Sequence, residues 1–138
     1  VASRLKLQTT GDGRGLLSVS EALIVEGRVP IVASWQPLVT VAYASSLVLD
    51  LSQSNWFQIT LAGNPTLSII NSQVGQQFVL RLIQDGSGSR TVTWFGVLKW
   101  PSATPPTLTA TAGGIDVFTF KCTAANAYDG FVAGQAMG

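Results

Sequence analysis

FVLRLIQDGSGSRTVTWFGVLKWP, residues 78–101, followed by GGIDVFTF, residues 113–120, is the stretch that decides the fold. In Phe78–Ile83 and Ile115–Cys122 apolar and polar residues alternate, the period of a half-buried strand. Between them lie the turn Asp85-Gly86-Ser87-Gly88-Ser89, a second run Thr91–Phe95, and a short run Val97–Trp100 stopped by Pro101. Glycine supplies the positive φ that tight turns need. The spacing predicts a hairpin of Phe78–Ile83 with Thr91–Phe95, a Trp-Pro crossover, and a return strand at Ile115–Cys122. Residues 101–106 hold three prolines and form no regular ladder.

The same grammar extends outward on both sides. Leu38–Tyr43, Leu47–Leu51, Phe57–Leu61 and Leu67–Ile70 are strand-sized, with turn clusters at SQSN, at Ala62-Gly63-Asn64-Pro65 and at Asn71-Ser72. Leu108 sits in an edge-like strand, Thr123–Gly130 reads as a polar loop, and a last strand lies near Phe131–Ala133. Strands recurring at this spacing, with turn signals between them, predict an all-β, antiparallel sandwich or jelly-roll-like domain. No repeat of 20–50 residues stands out. The β-domain is assigned to residues 46–138, and residues 1–45 to an extended N-terminal arm or docking segment. Within that arm Arg4–Gln8 alternates, Gly11–Gly15 reads as a flexible turn, and residues 16–34 fit either a short helix capped by Ser20 or a hairpin around Gly27.

Composition limits what the domain can do. At 138 residues the chain is one domain's worth, with only 11% charged residues and a net charge of +1. That balance gives no footprint for nucleic acid or anionic lipid. No apolar run is long enough for a membrane helix, and VASRLKLQTT is not a signal peptide. Val1 fits a mature start and a fragment start equally. A surface so poor in charge suits a subunit covered by neighbours. Cys122, the single cysteine, precludes an intrachain disulfide and reads as a buried thiol, as assembly in a reducing cytoplasm allows.

Candidate chemistry is sparse. The chain has no histidine, which removes serine–histidine and cysteine–histidine catalysis and histidine-bound zinc. Its acids, Asp12, Glu21, Glu26, Asp50, Asp85, Asp116 and Asp129, sit in turns or strands and show no hydrolytic pair. No catalytic, cofactor or metal residue is assigned, and no cofactor is expected. Asp85–Ser89 lacks the following acid of a calcium loop. Asp116 is the awkward acid, because alternation puts it on one face with Phe118 and Phe120. A buried Asp needs a partner: either Arg81 or Arg90, which match a carboxylate bidentately, or backbone amides. Trp94 reads as core. Trp56, Trp100 and Tyr128 are the aromatic candidates for a glycan platform or a subunit interface, although packing beneath the proline loop is the favoured reading of Trp100.

LVLDLSQSNWFQITLAGNPTLSI (47–69), VGQQFVLRLIQDGSGSRTVTW (74–94), LKWPSATPPTLTATAGGIDVFTFKC (98–122) and Asp129-Gly130-Phe131, in that order, resemble a domain recurring in virion proteins of tailed bacteriophages. These are tail-fibre, tail-spike and head-fibre or decoration-type proteins. The resemblance implies a β-rich homotrimer in the virion, assembled in the host cytoplasm. It implies attachment to other virion proteins, here through residues 1–45, or recognition of a host surface glycan. It carries no catalytic residue.

Overall fold

The computed structural model describes residues 35–138, and Trp35–Gly138 forms one compact unit. The readings of Arg4–Gln8, Gly11–Gly15 and residues 16–34 lie outside the described residues. The domain is almost entirely β, but its sheets are mixed, which corrects the antiparallel expectation. Five strands come first: β1 (Leu38–Val41), β2 (Ser46–Asp50), β3 (Trp56–Leu61), β4 (Thr66–Ile70) and β5 (Gln77–Gln84). Successive strands go to opposite sheets. β1, β3 and β5 run parallel in one sheet, and β2 and β4 run parallel in the other. The chain therefore winds as a short coil with two flat sides, as β-helical repeats do. β1 belongs to this coil, so the sheet begins inside the stretch read as an arm.

The coil repeats about every 20 residues, although little of the sequence repeats with it. Leu38 lies opposite Trp56 and Trp56 opposite Val79; in the second sheet Ser46 lies opposite Thr66. Leu47-Val-Leu-Asp-Leu-Ser-Gln53 and Leu67-Ser-Ile-Ile-Asn-Ser-Gln73 are successive copies of one side and its corner. Polar side chains at these corners tie coil to coil. Ser54 Oγ donates to the Pro37 carbonyl (2.5 Å) and accepts from the Trp56 amide. Gln76 Nε2 donates to the Leu51 carbonyl (3.0 Å) and Asn55 Oδ1 (2.6 Å). Asn71 Nδ2 donates to Asp50 Oδ1 (2.8 Å), which also takes the Ser52 amide and hydroxyl. A corner that leaves a sheet frees backbone groups, and these side chains satisfy them.

The predicted hairpin of Phe78–Ile83 with Thr91–Phe95 does not form. After β5 the turn at Asp85–Ser89 carries the chain to the other sheet, where Thr93 bridges Thr66 in parallel. Its amide donates to the Pro65 carbonyl and its carbonyl accepts from the Leu67 amide, both at 2.9 Å. At the switch the buried Gln84 carboxamide mimics a strand: Nε2 donates to the Arg90 carbonyl and Oε1 accepts from the Arg90 amide. Gly88, at φ +69°, packs where a Cβ would lie 2.3 Å from the Ala110 carbonyl oxygen, so only glycine fits.

Antiparallel pairing begins with β7 (Ile115–Ala124), which pairs with β5, and β8 (Ala127–Met137), which pairs with β7. β6 (Val97–Lys99) adds to β8 in parallel, giving the order β1-β3-β5-β7-β8-β6. The expected loop at Thr123–Gly130 is the tight end of the β7–β8 hairpin, and Leu108 lies in irregular chain.

Alternation buries one face of each sheet. Leu47, Leu49 and Leu67 meet Phe57, Ile59, Leu61, Leu80 and Leu82 in a single core, each contributing about 1.5–3 kcal/mol. At the β7 end the core is aromatic: Phe78 stacks on Phe120 (5.0 Å between centroids), and Trp94 meets Trp100 and Phe118 edge-on (5.1 Å each).

Candidate functional site

The outer face of the six-stranded sheet holds the candidate site. Ladder register sets Leu38, Trp56, Val79, Thr119 and Phe131 in one row across β1, β3, β5, β7 and β8. Beside it runs a second row, Gln77, Lys121, Asp129 and Lys99. A solvated sheet face usually carries polar residues, yet here Trp56 is 43% exposed and Phe131 49%. At about 4.8 Å between strands these two rings stand roughly 14 Å apart. Next to Phe131 lies a groove of about 440 Å³, lined by Asn55, Gln77, Val79, Thr119, Lys121 and Phe131. It offers an aromatic edge, two amides, a hydroxyl and an ammonium, which suits non-covalent association and has no nucleophile paired to a base.

The other sequence candidates are placed elsewhere. Trp100 is buried among Trp94, Phe118 and Phe120 and is no exposed platform. Its ring covers Gly130, where a Cβ would come within 2.8 Å of it. Tyr128 is buried too, edge-on to Phe95, with its hydroxyl 3.1 Å from Ser72 Oγ. Of the three aromatic candidates only Trp56 reaches the outer face. Phe131, the ring at the groove, reads from the sequence as the start of the last strand and as part of Asp129-Gly130-Phe131, not as a site residue. Its placement opposite Thr119 was the missing signal, and that depends on strand pairing.

Asp116 takes no arginine. Oδ2 accepts from the Thr109 amide (2.7 Å), and Oδ1 accepts from the Thr109 hydroxyl (2.6 Å) and the Ala136 amide (3.1 Å). The expected arginine partners are engaged elsewhere. Arg81 donates to Gln58 Oε1, its neighbour on the adjacent parallel strand. Arg90 forks onto Asp85 Oδ2 through Nε (3.1 Å) and Nη2 (2.8 Å). Asp85 Oδ1 also takes the Ser87 and Gly88 amides, so the DGSGS loop is a closed turn. Among the described residues no three His, Cys, Asp or Glu side chains gather as a metal set.

Two carboxyls are held below the usual carboxylate range. For Asp85 the largest cause is the Arg90 hydrogen bond, and for Asp50 it is the Asn71 hydrogen bond, followed by Ser52. A depressed pKa means the unfolded chain binds protons first, so these groups support the fold above about pH 4 and lose that support as pH falls through their folded values. Thermal melts from pH 6 to pH 2 are expected to show Tm falling below about pH 4. Asp85→Asn should flatten part of that slope; an unchanged slope in Asp85→Asn would remove the turn from the account.

Residues 35–123, more than half of the chain, match the family described as "Putative phage tail fibre C-terminal domain". The match starts just before β1 and ends within β7, so it covers the whole coil and the aromatic core. No curated protein and no solved structure matches the chain. The parallel coil, its aromatic end and the return strand β7 are thus the body of a recognised module, and the chain belongs to the phage tail fibre C-terminal domain family.

Proposed function

We propose that this protein is a tail-fibre component that works by subunit assembly: a homotrimer, completed in the host cytoplasm, whose residues ahead of Trp35 attach it to neighbouring virion proteins. Family membership makes the chain a phage virion structural protein. The observation that carries the finer reading is the outer face, where Trp56 and Phe131 stand half exposed in a chain with only 11% charged residues. Exposed aromatic anchors bordered by a polar and charged row are the composition of an interface core with its rim. No paired nucleophile and base accompanies them, and the role proposed is structural, not enzymatic.

Deleting residues 1–34 tests the attachment. The remaining 35–138 form a compact unit by themselves, so the truncated protein is expected to fold but to be missing from purified particles when it replaces the full chain. Truncated protein present at normal copy number would refute the docking role.

A second reading rests on the same rings. Trp56, with Asn55 and Gln77 nearby on the face, could stack a sugar of the host surface. In that case Trp56→Ala abolishes retention on host polysaccharide while leaving the native mass unchanged; equal retention of both proteins, or none of either, dismisses it.

A further inference from the structure

The geometry points to the β7–β8 part of the outer face as the place where copies of this chain meet, Phe131 of one copy entering the groove beside Thr119 of the next while Asp129 of the first pairs with Lys121 of the second. This rests on the homotrimer reading and names the surface that reading leaves open.

The argument starts from the ladder. Thr119 lies opposite Phe131, and Lys121 lies opposite Asp129 two residues along. Knob and groove, cation and anion, therefore sit on neighbouring strands at matching heights. A rotation axis running along the strands moves a copy sideways and preserves height. Such a rotation carries Phe131 toward a neighbour's groove and Asp129 toward a neighbour's Lys121 in one movement. The occupant is thus complementary in shape and in charge, and a second copy supplies both.

Within one copy these groups are underused. Phe131 leaves half its surface in water, and the groove at its flank has room for a benzyl side chain. The ion pair found among the described residues is Arg90 with Asp85, and Lys121 and Asp129 do not close one together. An aromatic anchor surrounded by a polar rim is how binding energy concentrates in protein interfaces. A rim charge pair fixes register and rejects misaligned copies.

Sedimentation equilibrium of the full chain at micromolar concentration tests this, with far-UV circular dichroism confirming that each variant is folded. The wild type should sediment as a multiple of the 14.5 kDa chain. Phe131→Asp should sediment as the single chain. Lys121→Asp and Asp129→Lys should each weaken association more than about tenfold, and the double reversal should recover most of it. An oligomeric wild type whose mass is unchanged in Phe131→Asp means that copies meet elsewhere, and the proposed face fails while the homotrimer reading stands. A double reversal as dissociated as the single ones overturns the Lys121–Asp129 contact. A monomeric wild type overturns both the face and the homotrimer.

Discussion

Trp100→Ala is expected to destabilise the domain by about 3–5 kcal/mol, the cost of emptying an aromatic site in a core. Native domains hold only about 5–15 kcal/mol in all, so this one change would remove a large share. The reason is position. Trp100 follows β6 and turns inward ahead of Pro101, with its ring 5.1 Å from Trp94, 5.7 Å from Phe120 and 5.9 Å from Phe118 between centroids. Gly130 has no side chain that could move into the vacancy, and the facing rings are fixed by one another. In urea the midpoint should fall sharply with little change in slope. In heat, with about 4–8 °C per kcal/mol for a domain of this size, Tm should drop by at least about 12 °C. Trp56→Ala is the control. That ring is 43% exposed, and its loss should cost less than about 1 kcal/mol. Equal effects at the two tryptophans would mean that the aromatic end of the core does not bear the stability assigned to it.

That contrast also shows what a sequence can and cannot reveal here. Trp56 opens a strand after a turn and Trp100 closes a short run before Pro101; both read as candidates for exposure, with packing favoured for Trp100. Burial of Trp100 depends on Gly130, thirty positions away, lying beneath its ring. Strand positions and facing were legible, because period-two alternation reports which side chains share a face: Phe57, Ile59 and Leu61 point inward, as do Phe78, Leu80 and Leu82. Partner and direction were not legible, because alternation is the same in parallel and antiparallel ladders. Asp85–Ser89 is a turn in either case. What decides against a hairpin there is the Gln84 carboxamide on Arg90 and the carbonyl and amide of Thr93 on Leu67 and Pro65. The Ser-Gln pairs at 52–53 and 72–73 were the available sign of a repeating coil, too short to be seen without the register. The outer-face site suffered most, since Phe131 and the groove come together only when β8 is laid against β7.

Asp116 carries the second large effect. It is 2% exposed, on the core face of β7, and its carboxylate accepts three hydrogen bonds from two other segments. Thr109 lies in the irregular chain that precedes β7, and Ala136 is near the end of β8, so one side chain holds together three parts of the fold. Asp116→Ala leaves the half-buried Thr109 amide without an acceptor, while the Ala136 amide keeps only the Thr109 hydroxyl (3.0 Å). Each buried donor left unpaired costs about 1–3 kcal/mol, more than the net worth of the bond itself. Asp116→Asn keeps the shape and one acceptor oxygen but turns an NH₂ toward a donor, so its loss should fall between wild type and Asp116→Ala. Thr109→Ala removes the hydroxyl from both Asp116 Oδ1 and the Ala136 amide, but leaves the Thr109 and Ala136 amides on the carboxylate, and should be milder than Asp116→Ala. An arginine partner would give a different pattern, because Arg81→Ala or Arg90→Ala would then cost as much as Asp116→Ala. With Arg81 on Gln58 and Arg90 on Asp85, neither should. Hydrogen exchange adds a local readout. In Asp116→Asn the Thr109 amide, whose acceptor is the Asp116 carboxylate, should exchange faster while those in the centre of β3 and β5 keep their protection, since the weakened bond releases the segment before β7 ahead of the coil. Unchanged exchange at the Thr109 amide would show that the carboxylate does not hold that segment, and its burial would then lack a structural reason.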